Sequence, residues 1–134
     1  MMHTQVKVRD EMVFRVGRPP VEFVLGFPTD RLTVRELIRS RVAQEVAMFN
    51  ERPTEYFQGL IQPTGAELTL NGYRVPRQHL IDANEQLQRA LAAFERNGFM
   101  LLVDDRQVER LDDLVILQPT SVVTFLKLIP LVGG

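Results

Sequence analysis

The sequence predicts an α+β fold in which a mixed sheet wraps around one helix, with a helix-bearing insertion. Three stretches predict it: an apolar hairpin pattern within residues 4–27, a capped helix-period stretch over 33–49, and an apolar strand over 122–128. In that order the first and last strands can lie side by side and parallel. That arrangement sets the end of the chain at a sheet edge, free to project.

Val6/Val8 and Met12/Phe14/Val16 alternate at the strand period. Gly17-Arg18-Pro19-Pro20 supplies a turn, and Val21–Phe27 is a strand denser in β-branched and aromatic residues. Met12–Val16 and Val21–Phe27 are therefore expected to form an antiparallel hairpin. The pattern leaves open whether Val6/Val8 extends the first strand or forms a separate edge. Pro28-Thr29-Asp30 closes the second strand. Thr33-Val34-Arg35-Glu36 is a capping box, in which the Thr33 hydroxyl accepts from the third amide of a helix. Val34, Leu37, Ile38, Val42, Ala43, Val46 and Phe49 follow at helical spacing, with Arg35, Arg39, Arg41, Gln44 and Glu45 assigned to the opposite face. Asn50 and Pro53 end this helix.

Residues 52–65 are irregular. Leu68-Thr69-Leu70 and Tyr73-Arg74-Val75 flank Asn71-Gly72, a strong hairpin signal because both central residues tolerate positive φ. Pro76 is expected to open a second helix at its first turn. Its apolar stripe is Leu80, Ala83, Leu87, Ala90, Leu91 and Phe94, and Asn97-Gly98 is a left-handed stop. Phe99–Val103 reads as a buried strand, Asp104-Asp105 as a turn and Arg106-Gln107-Val108 as the return. Leu111–Leu114 is a single helical turn feeding Val115–Leu117. After Gln118-Pro119-Thr120 comes the last strand, Val122–Leu128, and then Ile129, Pro130, Leu131, Val132 and Gly133-Gly134. With no repeat or flexible linker, residues 1–134 read as one domain whose insertion covers approximately 50–98.

The 134 residues suffice to bury a core, and a hydrophobic content of 45% with 25% charged residues is that of an ordinary soluble protein. The net charge of −1 argues against nucleic acid or anionic membrane as the main partner. Absence of cysteine removes disulfide, thiolate and cysteine–zinc chemistry and fits a cytoplasmic location. No run approaches the roughly 18 apolar residues that cross a bilayer, and no apolar signal core opens the chain.

The layout over residues 12–49 and 99–134 resembles the ubiquitin-like β-grasp superfamily. FMLLVDDRQVERLDDLVIL is similar to its third strand, turn and leucine–acidic helical turn, and VVTFLKLIPLVGG is similar to the tails of prokaryotic sulfur carriers. Residues 50–98 have no counterpart there. The resemblance implies a bacterial protein modifier. Its Gly134 carboxylate is adenylated by an activating enzyme that uses ATP, passed through a conjugating enzyme to a target amine as an isopeptide bond, and released by a deconjugating protease. Gly133 would be the steric partner of Gly134, and Ile129, Pro130, Leu131 and Val132 the residues that enzymes read. Two alternatives come with the same resemblance: a sulfur carrier forming a C-terminal thiocarboxylate, and a β-grasp interaction domain that is never activated. The tail holds Ile, Pro, Leu and Val where ubiquitin carries arginines, which points away from eukaryotic ubiquitin machinery. The insertion suits partner recognition or packing against copies of the chain.

The remaining candidates read as structural. His3 and His79 are ordinary surface histidines. Asp104-Asp105 and Asp112-Asp113 are turn and helix-start chemistry rather than a cation site. No nucleophile constellation, phosphate loop or metal spacing is present, so neither catalysis nor a resident cofactor or metal is expected. Tyr56, Phe57, Leu60 and Ile61 are candidates for a partner-facing surface, and Arg35, Arg39 and Arg41 for docking an acidic partner.

Overall fold

The computed structural model describes residues 4–12, 20–69, 71–76 and 80–128. The chain forms β1 (Thr4–Met12), β2 (Val21–Phe27), β3 (Arg31–Thr33), α1 (Val34–Glu51), β4 (Tyr56–Phe57), β5 (Glu67–Thr69) and β6 (Gly72–Arg74). It continues with α2 (Ala83–Glu95), β7 (Phe99–Val103), β8 (Arg106–Val108), β9 (Leu114–Ile116) and β10 (Val122–Lys127). The fold is α+β with a mixed sheet of order β2-β1-β10-β7-β8, a β3-β9 pair and a small β4-β6-β5 sheet.

The first strand is continuous: Val6 and Val8 lie in the same β1 as Met12, and Thr4 to Asp10 pair antiparallel with Phe27 to Val21. Phe14 and Val16, which were expected to carry the hairpin, lie outside the described residues. Strand β1 runs parallel to β10, from Lys7 opposite Val122 to Met12 opposite Lys127. One expectation is corrected here. Strand β10 is central, flanked by β1 and by β7, so it does not form a sheet edge.

Helix α1 lies over one face of this sheet. Its Val34, Leu37, Ile38, Val42, Val46 and Phe49 join Val6, Val8, Leu25, Phe27, Leu101, Val123 and Phe125 in the core. The helix starts at Thr33 because its leading amides are all satisfied there. Thr33 Oγ1 accepts from Glu36 N at 3.1 Å, Asp113 O from Val34 N at 3.0 Å and Leu111 O from Arg35 N at 2.9 Å. The 111–114 turn thus acts as a backbone cap for α1.

Helix α2 begins later than expected. Asp82, rather than Pro76, starts it by accepting from Asn84 N and Glu85 N at 2.9 and 3.1 Å. Leu80 therefore precedes the helix and is exposed, Ala83 is exposed, and the buried face is Gln86, Ala90, Leu91, Ala93 and Phe94. The helix ends in a Schellman motif. Asn97 is left-handed at φ 63°, Gly98 N donates to Ala93 O at 2.7 Å and Asn97 N to Phe94 O at 3.1 Å.

The β5–β6 hairpin is displaced by one residue from the Asn71-Gly72 expectation. Thr69 pairs with Gly72, so Gly72, at φ 120°, opens β6 rather than sitting at the centre of the turn. Thr69 Oγ1 accepts from Asn71 N and donates to Gly72 O, which fixes that register. In the β7–β8 turn Asp104 and Asp105 sit at φ 51° and 66°, the left-handed pair that matches strand twist in a two-residue hairpin.

Candidate functional site

The tail residues Ile129, Pro130, Leu131, Val132, Gly133 and Gly134 lie outside the described residues, as do His3 and His79. Strand β10 is followed as far as Leu128, whose N–H donates to Gly98 O at 3.4 Å.

Among the described residues, polar chemistry concentrates beneath the sheet around Arg41. Positions 34, 38, 41 and 45 fall on one stripe of α1, which points Arg41 at the core. Its side chain is only 1% exposed. The guanidinium forks onto Asp10 of β1, with Oδ1 and Oδ2 at 2.5 and 2.7 Å, while its Nε meets Glu45 Oε2 at 3.2 Å. The Phe125 ring lies 4.4 Å and the Phe23 ring 5.3 Å from the guanidinium carbon. The other oxygen of Glu45 accepts from Leu60 N at 2.9 Å. The cluster therefore ties α1 to β1 and to the 58–61 loop.

Burial pushes the Glu45 carboxyl above its ordinary value, against the pull of Arg41 and of the Leu60 amide. For Arg41 burial acts downward, but Glu45 and Asp10 outweigh it and the guanidinium is held still more firmly charged. Asp10 and Glu45 share the one guanidinium of Arg41, and no hydroxyl, thiol or imidazole adjoins it within these contacts. Such an arrangement holds elements together.

Three expectations change as a result. Arg41 is a core residue and cannot dock an acidic partner. Arg35 is held by Asp112 at 3.6 Å. Of the three arginines only Arg39 remains on an open rim, beside a shallow cleft between α1 and α2 lined by Val42, Ala43, Ala83, Asn84 and Leu87. Phe57, Leu60 and Ile61 are likewise buried, with Phe57 edge-on to Phe49 at 5.3 Å. They are core, and Tyr56 is half-buried beside them.

The acidic pairs act as turn locks. Asp104 accepts from Ser121 Oγ at 2.8 Å and Val122 N at 2.9 Å, and Asp113 accepts from Arg110 N at 3.2 Å. Among the described residues no group of three His, Cys, Asp or Glu could hold a metal ion, and no helix is long and apolar enough to cross a membrane.

The two helices do not form a helix-turn-helix. Residues 52–82, including a three-stranded sheet, lie between α1 and α2, where that motif has a turn of about 3–4 residues. Among the described residues two further arginines are paired, Arg9 with Glu22 at 3.2 Å and Arg74 with Glu55 at 3.4 Å.

No family model matches the chain, and no solved structure matches it. Among curated proteins it is similar to the HTH-type transcriptional regulator Rv0324 of Mycobacterium tuberculosis, with 32% identity over 101 residues, covering 67% of this chain. The match spans 42% of that regulator's length. A relative of this kind overturns the reading of the chain as a protein modifier conjugated through Gly133 and Gly134, along with its thiocarboxylate alternative. The activating enzyme, the conjugating enzyme and the deconjugating protease fall with it as partners. So does the exclusion of nucleic acid, which rested on a net charge of −1. Binding to nucleic acid depends on the charges that meet phosphate locally, and a whole-chain sum does not measure those.

Proposed function

We propose that this chain takes part in the regulation of transcription. The observation that carries the reading is its 32% identity over 101 residues with a protein named as a transcriptional regulator. The described geometry favours a regulatory share of that task over base reading by the described helices, because neither α1 nor α2 stands as the second helix of a helix-turn-helix. Helix α1 is packed on the sheet and α2 on α1 along one stripe each, and the chain between them is too long for the tight turn that sets a recognition helix at its angle. The role is non-catalytic and uses no resident cofactor, and in a bacterium it is exercised in the cytoplasm.

We further infer that the fold is a β-grasp and that residues 1–134 make one domain with an insertion at about 50–98. The order β2-β1-β10-β7-β8, the parallel β1–β10 pairing and α1 across the sheet support this. The small β4-β6-β5 sheet and α2 occupy the insertion.

The test is chromatin immunoprecipitation of the tagged chain together with transcript profiling of a deletion strain. Promoter-centred enrichment matched by changed transcripts is expected. Absence of both refutes the proposal. Titrating purified protein onto an enriched promoter fragment at rising salt separates direct contact from recruitment. Phosphate contact gives affinity that falls steeply with salt, and recruitment through a partner gives no binding at any salt.

A further inference from the structure

Among the described residues strand β2 has a neighbour on one side only, being the end strand of the order β2-β1-β10-β7-β8. Its ladder with β1 uses the odd-numbered residues. The outward carbonyl of Gly26 is taken by Gln44 Nε2 at 2.8 Å, and the alternation along a strand then directs the backbone groups of Glu22 and Val24 outward as well. Among the described residues nothing hydrogen-bonds those groups of Glu22 and Val24.

Within the strand itself the residues that usually protect an edge are missing. The strand VEFVLGF contains no proline and no lysine, its one charge is Glu22, and Arg9 already neutralises it at 3.2 Å. Val21 and Val24 are 64% and 60% exposed.

We propose that β2 is the interface of a symmetric dimer, pairing antiparallel with β2 of a second copy about an axis at Val24. The charges and prolines of the segment select that register. With the axis at Val24, Val24 faces Val24 of the partner subunit, and Glu22 faces the partner's Gly26. These three hydrogen-bonded pairs exchange roughly six bonds. The ladder is bounded on both sides, since Pro20 meets the partner's Pro28 and neither has an N–H to give. An axis at Glu22 sets two like charges directly opposite each other, which destabilises the pairing. An axis at Gly26 sets Glu22 against the partner's Asp30 and Val24 against the partner's Pro28. Moving the axis to Phe23 or Leu25 gives up one full pair to a proline. The two sheets thereby join into one continuous sheet, and the Gln44 contact is kept because a carbonyl accepts twice.

The natural chain has no cysteine, so single introduced cysteines report the register cleanly. In the proposed dimer the Val24 Cα atoms lie about 5.5 Å apart, within disulfide reach. Those of Val21 lie about 20 Å apart, six residues along the ladder. Oxidation of the full chain should cross-link Val24→Cys at least about tenfold more than Val21→Cys. Sedimentation of the natural chain should show a dimer that Val24→Lys converts to monomer with an unchanged circular dichroism spectrum. Sedimentation as a monomer at high micromolar concentration, or equal cross-linking of the two cysteine variants, overturns the proposal.

Discussion

At Arg41, residue type and residue position give opposite answers, and position decides. Lying three or four residues from Ile38 and Glu45 on the α1 stripe, it must face the sheet. Its charge is accommodated because Asp10 and Glu45 arrive from two directions and two rings cover its faces. The spacing stands in the sequence, but the charge of Arg41 assigned it to the opposite, polar face, and the structure buries it. The identity of Asp10 as partner was not legible, because 31 residues and a strand crossover separate the two. Replacing Arg41 by Met leaves two carboxylates beneath the sheet without their cation and should cost about 3 kcal/mol or more in urea unfolding. Glu45 gives a pH signature. Its folded value lies above the ordinary 4.5, so the folded state binds the extra proton between the two values. Stability from this group is fully present below about 4.5 and is lost as pH rises through the raised folded value. Glu45→Gln should therefore flatten the decline of the urea midpoint over that window, and an unaltered slope would remove Glu45 as its source.

At the scale of elements, the local signals held where a few neighbouring residues decide the outcome and shifted where a competing cap was available. Thr33 caps α1 as its Ser/Thr-x-x-Glu pattern requires, and Asn97 ends α2 in the left-handed conformation. Thr33→Ala should lower stability by about 1 kcal/mol. At Asn97, glycine should be tolerated and valine should cost about 1–2 kcal/mol, since a β-branched side chain clashes at positive φ. Pro76 lost the start of α2 to Asp82, whose carboxylate supplies acceptors that a proline lacks. The hairpin near Asn71 shifted by one because Thr69 anchors both sides of the turn. Asn50, placed at the end of α1 as a helix terminator, does more than that. It donates to Ile81 O at 2.8 Å and accepts from Ile81 N at 2.9 Å, closing the loop ahead of α2 onto α1. Asn50→Ala should speed amide exchange around Ile81 and leave the β1–β2 ladder protected, a contrast that hydrogen exchange by mass spectrometry reads directly.

For the whole molecule, the antiparallel β1–β2 pairing and the parallel pairing of first and last strands followed from the sequence, whereas the central place of β10 and the short strands β3 and β4 did not, since pairing across long separations leaves no local period. Function did not follow. The reading as a modifier drew its weight from residues 129–134, which say what a free tail could do and nothing of what other proteins the chain is related to. The contrary sign, likeness to a transcriptional regulator, is spread over 101 aligned positions and has no short motif to catch the eye. Compact motifs draw the eye and diffuse identity does not, and here the diffuse signal is what supports the proposed role.

The parallel contact of β1 with β10 has a consequence during synthesis. Lys7 and Val122 stand side by side, yet more than a hundred residues must be made between them. As the chain emerges from the ribosome, β1 and β2 can pair early, but the centre of the sheet stays vacant until the last strand clears the exit tunnel. Until then Val6, Val8 and the apolar stripe of α1 lack their cover of Val123 and Phe125. Nascent chains arrested before residue 122 should accordingly engage holding chaperones, and those released just beyond residue 128 should escape them.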